Sequence, residues 1–228
     1  MNSRKLSFSI ATSIFLLITV ISISSIWYLW PIFNSMNDGN APISIYIDQD
    51  DTIDSVHIKV GSPKRWKVLQ WYFEAKPRPG HYIIQPDEKM LDVYRKFRNG
   101  TQSPVRVTVP QVRTLDQLAS RLSKQLMLDS ATIASAFRDT ALCDNLGYNW
   151  QTLPALFIPN TYEMWWNTSV DKLMQRMQRE NKAFWTEVRL EKARKLSLSP
   201  VEVVTLASIV SEETAYVPEM PKVAGMYI

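Results

Sequence analysis

Residues 105–126 read "VRVTVPQVRTLDQLASRLSKQL", and the hydrophobic period changes halfway along. From Val105 to Val109 apolar and polar residues alternate, which is the pattern of a half-buried strand. From there the apolar positions become Leu115, Leu118, Leu122 and Leu126. That spacing lines one face of an α-helix, and Thr114 stands where an N-cap belongs.

The same grammar appears upstream. "ISIYIDQDD" (43–51) alternates as a strand. "SPKRWKVLQWYFEA" (62–75) carries Trp66, Leu69, Trp71 and Phe73 at helical spacing. In "KPRPGHYIIQPDEKMLDVYRKFRNGT" (76–101), Pro79-Gly80 marks a turn and Tyr82 to Ile84 a strand. Leu91, Tyr94 and Phe97 then make the buried stripe of a helix. These βα units resemble small peptidoglycan-binding modules of the LysM kind, a likeness of topology only.

The first 33 residues, "MNSRKLSFSIATSIFLLITVISISSIWYLWPIF", place Arg4 and Lys5 before a run with no charge until Asp38. Phe8 to Tyr28 has the length of a transmembrane helix, roughly 20 residues. Trp27, Tyr28 and Trp30 supply an aromatic belt, and the basic pair stays cytoplasmic. The expectation is one span through the lipid bilayer of the inner membrane, with everything after it outside the cytoplasm. The rival is a cleaved signal peptide, but no small-x-small site follows the apolar run. "PIFNSMNDGNAP" (31–42) reads as a linker.

The chain has 228 residues, 46% hydrophobic and 21% charged, which is a globular composition. A net charge of +4 without a dense Lys/Arg run gives no reason to expect nucleic acid. The excess fits an anionic surface or a solvated face. One cysteine, Cys143, excludes an internal disulfide and a multi-thiolate metal site. His57 and His81 lie outside any metal spacing, so neither a zinc site nor a Ser/His/Asp triad is expected. No cofactor is expected.

Downstream, Val170, Leu173, Met174, Met177, Phe184, Trp185 and Val188 keep a period near 3.6, which predicts one long helix from about Val170. Before it, "FIPNTYEMWW" (157–166) predicts a turn at Pro159-Asn160 presenting Thr161, Tyr162 and Glu163. An aromatic beside a carboxylate on a turn suits carbohydrate contact. A surface turn with a packed tyrosine fits equally.

"SPVEVVTLASIVSEET" (199–214) is a helix with three agreeing start signals: Ser199 as N-cap, Pro200 at the first position and Glu202 completing a capping box. At 100° per residue Glu213 falls about 20° from the direction of Leu206, on the face expected to be buried, and Glu212 about 120° away on the flank. A carboxyl held against apolar neighbours keeps its proton to higher pH. Such an acid can protonate a leaving oxygen. The alternative is a helix-end glutamate bonded to an amide or a basic residue.

"LASIVSEET" and "FIPNTYE" together resemble the endolytic murein transglycosylases of the YceG-like (MltG) family, most closely the versions from Bacteroidetes-type bacteria. The likeness runs along the whole chain. It implies an α+β protein with an N-terminal transmembrane helix, a LysM-like βα region and a partial, mostly helical catalytic domain. The expected divisions are anchor 1–33, linker 34–42, LysM-like region 43–150 and transglycosylase part 151–228.

Family members cleave the β-1,4 bond after N-acetylmuramic acid and leave a 1,6-anhydro end. Their catalytic glutamate precedes the Thr of this motif, which maps it to Glu213. Many relatives have a second Glu where this chain has Ser211. Asn160, Tyr162, Glu163 and Glu212 are then the candidates for glycan contact or for orienting Glu213. The implied partners are peptidoglycan glycan strands and cell-wall synthases. Relatives continue with Asn-Arg-Leu, Asp-Pro-Thr and Pro-rich segments absent here, so the resemblance implies a fragment of a longer protein. The competing class is a non-enzymatic, membrane-anchored protein that binds the wall as a scaffold.

Overall fold

The computed structural model describes residues 3–30, 35–37, 39–61 and 76–228, without the side chains of residues 3–12, 28, 29 and 57. The helix expected over 62–75, with Trp66, Leu69, Trp71 and Phe73, lies outside the described residues. The chain is α+β. It forms two compact units, Met1–Ser103 and Pro104–Ile228. The expected division at 150/151 falls inside the second unit.

The first unit begins with helix α1 (Ser3–Leu29), whose apolar side chains from Ile14 to Ile26 are mostly exposed. Among the described residues no helix is long and apolar enough to cross a membrane. Strand β1 (Ile43–Ile47) pairs antiparallel with β2 (Gly80–Ile84), with Ile45 opposite Tyr82 and Tyr46 opposite His81. Helices α2 (Ile53–Val60) and α3 (Met90–Asn99) cover the buried face of this hairpin-like pair. Their core joins Ile45, Ile47, Val56, Tyr82, Ile84, Met90, Val93, Tyr94 and Phe97. A Cβ at Gly80 would lie 2.4 Å from the Gln102 side chain, which would have to shift to admit a larger residue. The Tyr82 hydroxyl donates to the Arg78 carbonyl at 2.8 Å, and burial pushes its phenol up to about 12.

In the second unit β3 (Val105–Val109) pairs antiparallel with β4 (Asn160–Met164), Val107 opposite Tyr162. Val105, Val107 and Val109 point into the core and Arg106 and Thr108 point out, as the alternation predicts. Helix α4 (Leu115–Ser123) buries Leu118 and Leu122, and the Thr114 side chain caps it by accepting from Gln117 N at 3.2 Å. Helices α5 (Ser130–Phe137), α6 (Thr140–Leu146) and α7 (Val170–Phe184) complete the core. Buried Asn181 on α7 donates to the carbonyls of Ala155 (2.8 Å) and Leu156 (3.2 Å). It thereby fastens the 3-10 turn Leu153–Leu156 to α7.

Two expectations are corrected. "NTYEM" is a strand, not a turn: Tyr162 faces the core, Thr161 and Glu163 face out, and Asn160 is exposed at the strand's first position. The long helix stops at Phe184. Trp185 leaves helical geometry (φ −81°, ψ 70°) and a second helix, α8 (Glu187–Lys195), starts after Thr186. The Arg189 guanidinium lies 4.0 Å from the Phe184 ring and donates to the Phe184 carbonyl at 2.6 Å, closing the corner. Val188, the last residue of the predicted helical period, is exposed.

Candidate functional site

Helix α9 (Pro200–Glu213) carries both candidate carboxylates at its last turn. Its start is as the sequence requires. Ser199 Oγ accepts from Glu202 N at 3.3 Å and Glu202 Oε2 accepts from Ser199 N at 2.7 Å. The bond from the Ser199 amide holds the exposed Glu202 carboxyl below its ordinary range. Thr214 turns extended (φ −146°, ψ 134°), so the helix ends directly after Glu213. The segment beyond doubles back through a 3-10 turn, Val217–Glu219, into the short helix α10 (Met220–Ala224), which packs on α9.

Only Val210 of α9 is buried, and Glu213 is exposed. The expectation that helical phase drives Glu213 towards the core is therefore corrected. The phase calculation assumed an apolar stripe covered along its length, whereas Leu206 is half-buried and Ile209 is exposed. Glu213 Oε1 accepts a long bond, 3.4 Å, from the Tyr227 hydroxyl. The Tyr216 amide donates to Thr214 Oγ1 at 3.1 Å, which fixes the exit of the chain.

Glu212 sits on the flank, as predicted, and accepts from Arg113 Nη2 at 2.5 Å. Arg113 immediately precedes the N-cap of α4, and Glu212 holds its guanidinium above its ordinary range by hydrogen bonding and charge. The pair ties the β3–α4 loop to the end of α9. Nothing in the sequence announces it, because the partners are 99 residues apart.

The four-residue cluster expected around Glu213 is not assembled by direct bonds. Asn160 Oδ1 accepts from the neighbouring Thr161 amide at 2.8 Å. Glu163 is exposed opposite Arg106, and its backbone carbonyl accepts from Arg176 at 2.9 Å. Tyr162 is 5% exposed, donates to the Ile158 carbonyl at 2.6 Å, and lies beneath the Arg176 guanidinium at 5.9 Å. Burial pushes its phenol up. Tyr162 thus anchors β4, while Asn160 and Glu163 are both exposed, on opposite faces of that strand. Among the described residues no group of three or more His, Cys, Asp or Glu is placed to hold a metal ion.

The second unit thus presents two adjacent, exposed glutamates at the end of a capped helix, one of them paired with Arg113. Residues 45–228 match the YceG-like family, and the chain belongs to that family, which includes murein transglycosylases. The fold is shared with the crystal structure of a YceG-like protein from Listeria monocytogenes, at a TM-score of 0.50 and 16% identity over 80% of this chain and 67% of that one. No curated protein matches the chain.

Proposed function

We propose that the chain is a lytic transglycosylase that cleaves the MurNAc-β-1,4-GlcNAc bond inside nascent peptidoglycan, with Glu213 as acid and then base. The observation that supports this most is the family match over residues 45–228, which includes a glutamate ending a capped helix directly before Thr214. In this reading glycan seated over the exposed helix end excludes water, and desolvation favours the neutral carboxyl. Glu213 gives its proton to the glycosidic oxygen as the bond to C1 breaks. Its carboxylate then takes the proton of the muramic acid C6 hydroxyl, whose oxygen bonds to C1 and closes the 1,6-anhydro ring. The substrate supplies the nucleophile already positioned, so a second carboxylate is unnecessary. Asn160 and Glu163 are proposed glycan contacts, and Glu212 with Arg113 a brace for the helix end.

Membrane anchoring is part of the proposal. It rests on the uncharged, apolar run of sequence after Lys5. The proposed location is the inner membrane with the following residues outside the cytoplasm, within reach of cell-wall synthases. The exposure of Glu213 favours a second reading, a wall-binding scaffold without turnover.

Incubation of the full chain with purified sacculi separates the two. The transglycosylase reading expects 1,6-anhydro ends by mass spectrometry and their loss, by about 10²–10⁴-fold, in Glu213→Gln. Sacculus binding without anhydro ends would establish the scaffold. Near-normal turnover by Glu213→Gln would remove the residue assignment.

A further inference from the structure

We propose that Glu213 is oriented by a clamp of two residues outside α9, Tyr227 acting on its carboxyl directly and Arg113 acting through Glu212. The reaction that the clamp serves rests on the transglycosylase reading. The clamp itself rests on its contacts alone. A proton donor must aim one oxygen at the leaving oxygen and keep it there, since small misplacements of a reacting group cost rate steeply. Helix α9 cannot supply that aim from its own packing, because Val210 is its only buried residue. The grip has to come from elsewhere in the chain.

One half comes from the β3–α4 loop. Val109 at the end of β3 is buried, and the Arg113 amide donates to Gln117 Oε1 at 3.2 Å, which fixes the Arg113 backbone to the start of α4. The guanidinium then reaches Glu212 at 2.5 Å. Glu212 and Glu213 are successive residues of the last helical turn, so holding one side chain against the loop sets the rotation of the helix end that carries the other. Thr214 is already extended, so no further turn of α9 resists or shares that rotation.

The other half comes from the chain reversal that brings α10 back onto α9. The Tyr227 amide donates to the Ala224 carbonyl at 3.1 Å, which keeps Tyr227 against the end of α10. Its hydroxyl donates to Glu213 Oε1 at 3.4 Å, a length that fits a contact tightening when ligand covers the site. A phenol donating to Oε1 engages the oxygen that is the carbonyl of the neutral acid, which leaves Oε2 to carry the proton. The clamp thereby selects the oxygen that gives the proton to the glycosidic oxygen and later accepts one from the C6 hydroxyl.

The Arg113 and Glu212 side chains are 76% and 57% exposed, and Tyr227 is exposed as well. Exposed ion pairs add little to stability. Losing either half should therefore leave the melting temperature unchanged and show in turnover.

The test is anhydro-end formation by the full chain on soluble, uncrosslinked glycan strands at varied concentration. Tyr227→Phe, which removes only the hydroxyl, and Arg113→Met are each expected to lower kcat about tenfold with KM within about twofold. Arg113→Lys keeps the charge and should recover most of the loss. Glu212→Arg combined with Arg113→Glu restores an ion pair and should recover activity that Arg113→Glu alone loses. Amides of Ser211 to Thr214 should exchange faster in Arg113→Met than in the wild type. Wild-type kcat in either Tyr227→Phe or Arg113→Met would overturn the proposal. So would a rise in KM alone, which marks a glycan contact instead of a positioning residue. If the wild type forms no anhydro ends while the exchange difference is present, only the transglycosylase reading falls. Anhydro ends from the wild type, with unchanged exchange and turnover in the variants, would refute only the clamp.

Discussion

Tyr162 is packed in the core of the second unit, and Glu213 stands exposed at the end of α9. Side-chain exposure depends on what packs against an element, which the element's own sequence does not contain. Tyr162 was expected on a turn and lies in the core, its hydroxyl spent on the Ile158 carbonyl. Tyr162→Phe removes that bond while keeping the ring, and should destabilise the second unit by about 1 kcal/mol in urea unfolding. Sacculus binding should not change if the residue only anchors β4. Tyr82 offers a pH test in the first unit. Its phenol, ordinarily near 10, is pushed up to about 12 by burial. The folded state therefore holds the proton more tightly than the unfolded state. The stability this contributes is fully present below pH 10 and is lost as pH rises from about 10 to about 12. Urea midpoints measured across that window should fall for the wild type and fall less for Tyr82→Phe.

Individual elements were legible where their signals were local. The α9 start depends on Ser199, Pro200 and Glu202 within four positions, and all three act as the sequence indicates. Thr114 before α4 is equally local and equally legible. β4 was not legible because it is defined by pairing with β3, seen for example in the bond between Thr108 and Thr161, 53 residues apart. The α7–α8 corner was missed for a different reason: Phe184, Trp185 and Val188 continue a helical period through a break made by Trp185 and Thr186. The cap itself is testable. Ser199→Ala should cost about 1 kcal/mol, read as a lower thermal midpoint for the second unit. Glu202 adds an acid limb. Its carboxyl is held below its ordinary range, so its stabilisation is present above that range and is lost as pH falls through the lowered value. Glu202→Gln should flatten this dependence in an acid titration of α9 helicity.

At the scale of the whole molecule, each unit has its own apolar core. One is built around Tyr82, Ile84, Met90 and Phe97, and the other around Val107, Leu118, Leu122, Phe137 and Leu173. Local opening follows contact density, so amides deep in these cores should be the slowest to exchange. Helix α9 belongs to neither core: Val210 is its only buried residue among those described, and Ile209 on the same turn is exposed. The element carrying the proposed catalytic glutamate is therefore held by little packing of its own. Hydrogen exchange in the native state should show α9 amides opening well before those of β3 and β4. Phe137→Ala should cost about 3–5 kcal/mol and accelerate exchange in β3, β4 and α4. Phe97→Ala should do the same for β2 and α3. If glycan covers the end of α9 during turnover, saturating sacculus fragments should slow exchange at Ser211 to Thr214 more than in either core. Equal protection throughout would mean that the ligand binds without engaging that helix, and Glu213 would lose its place in the reaction.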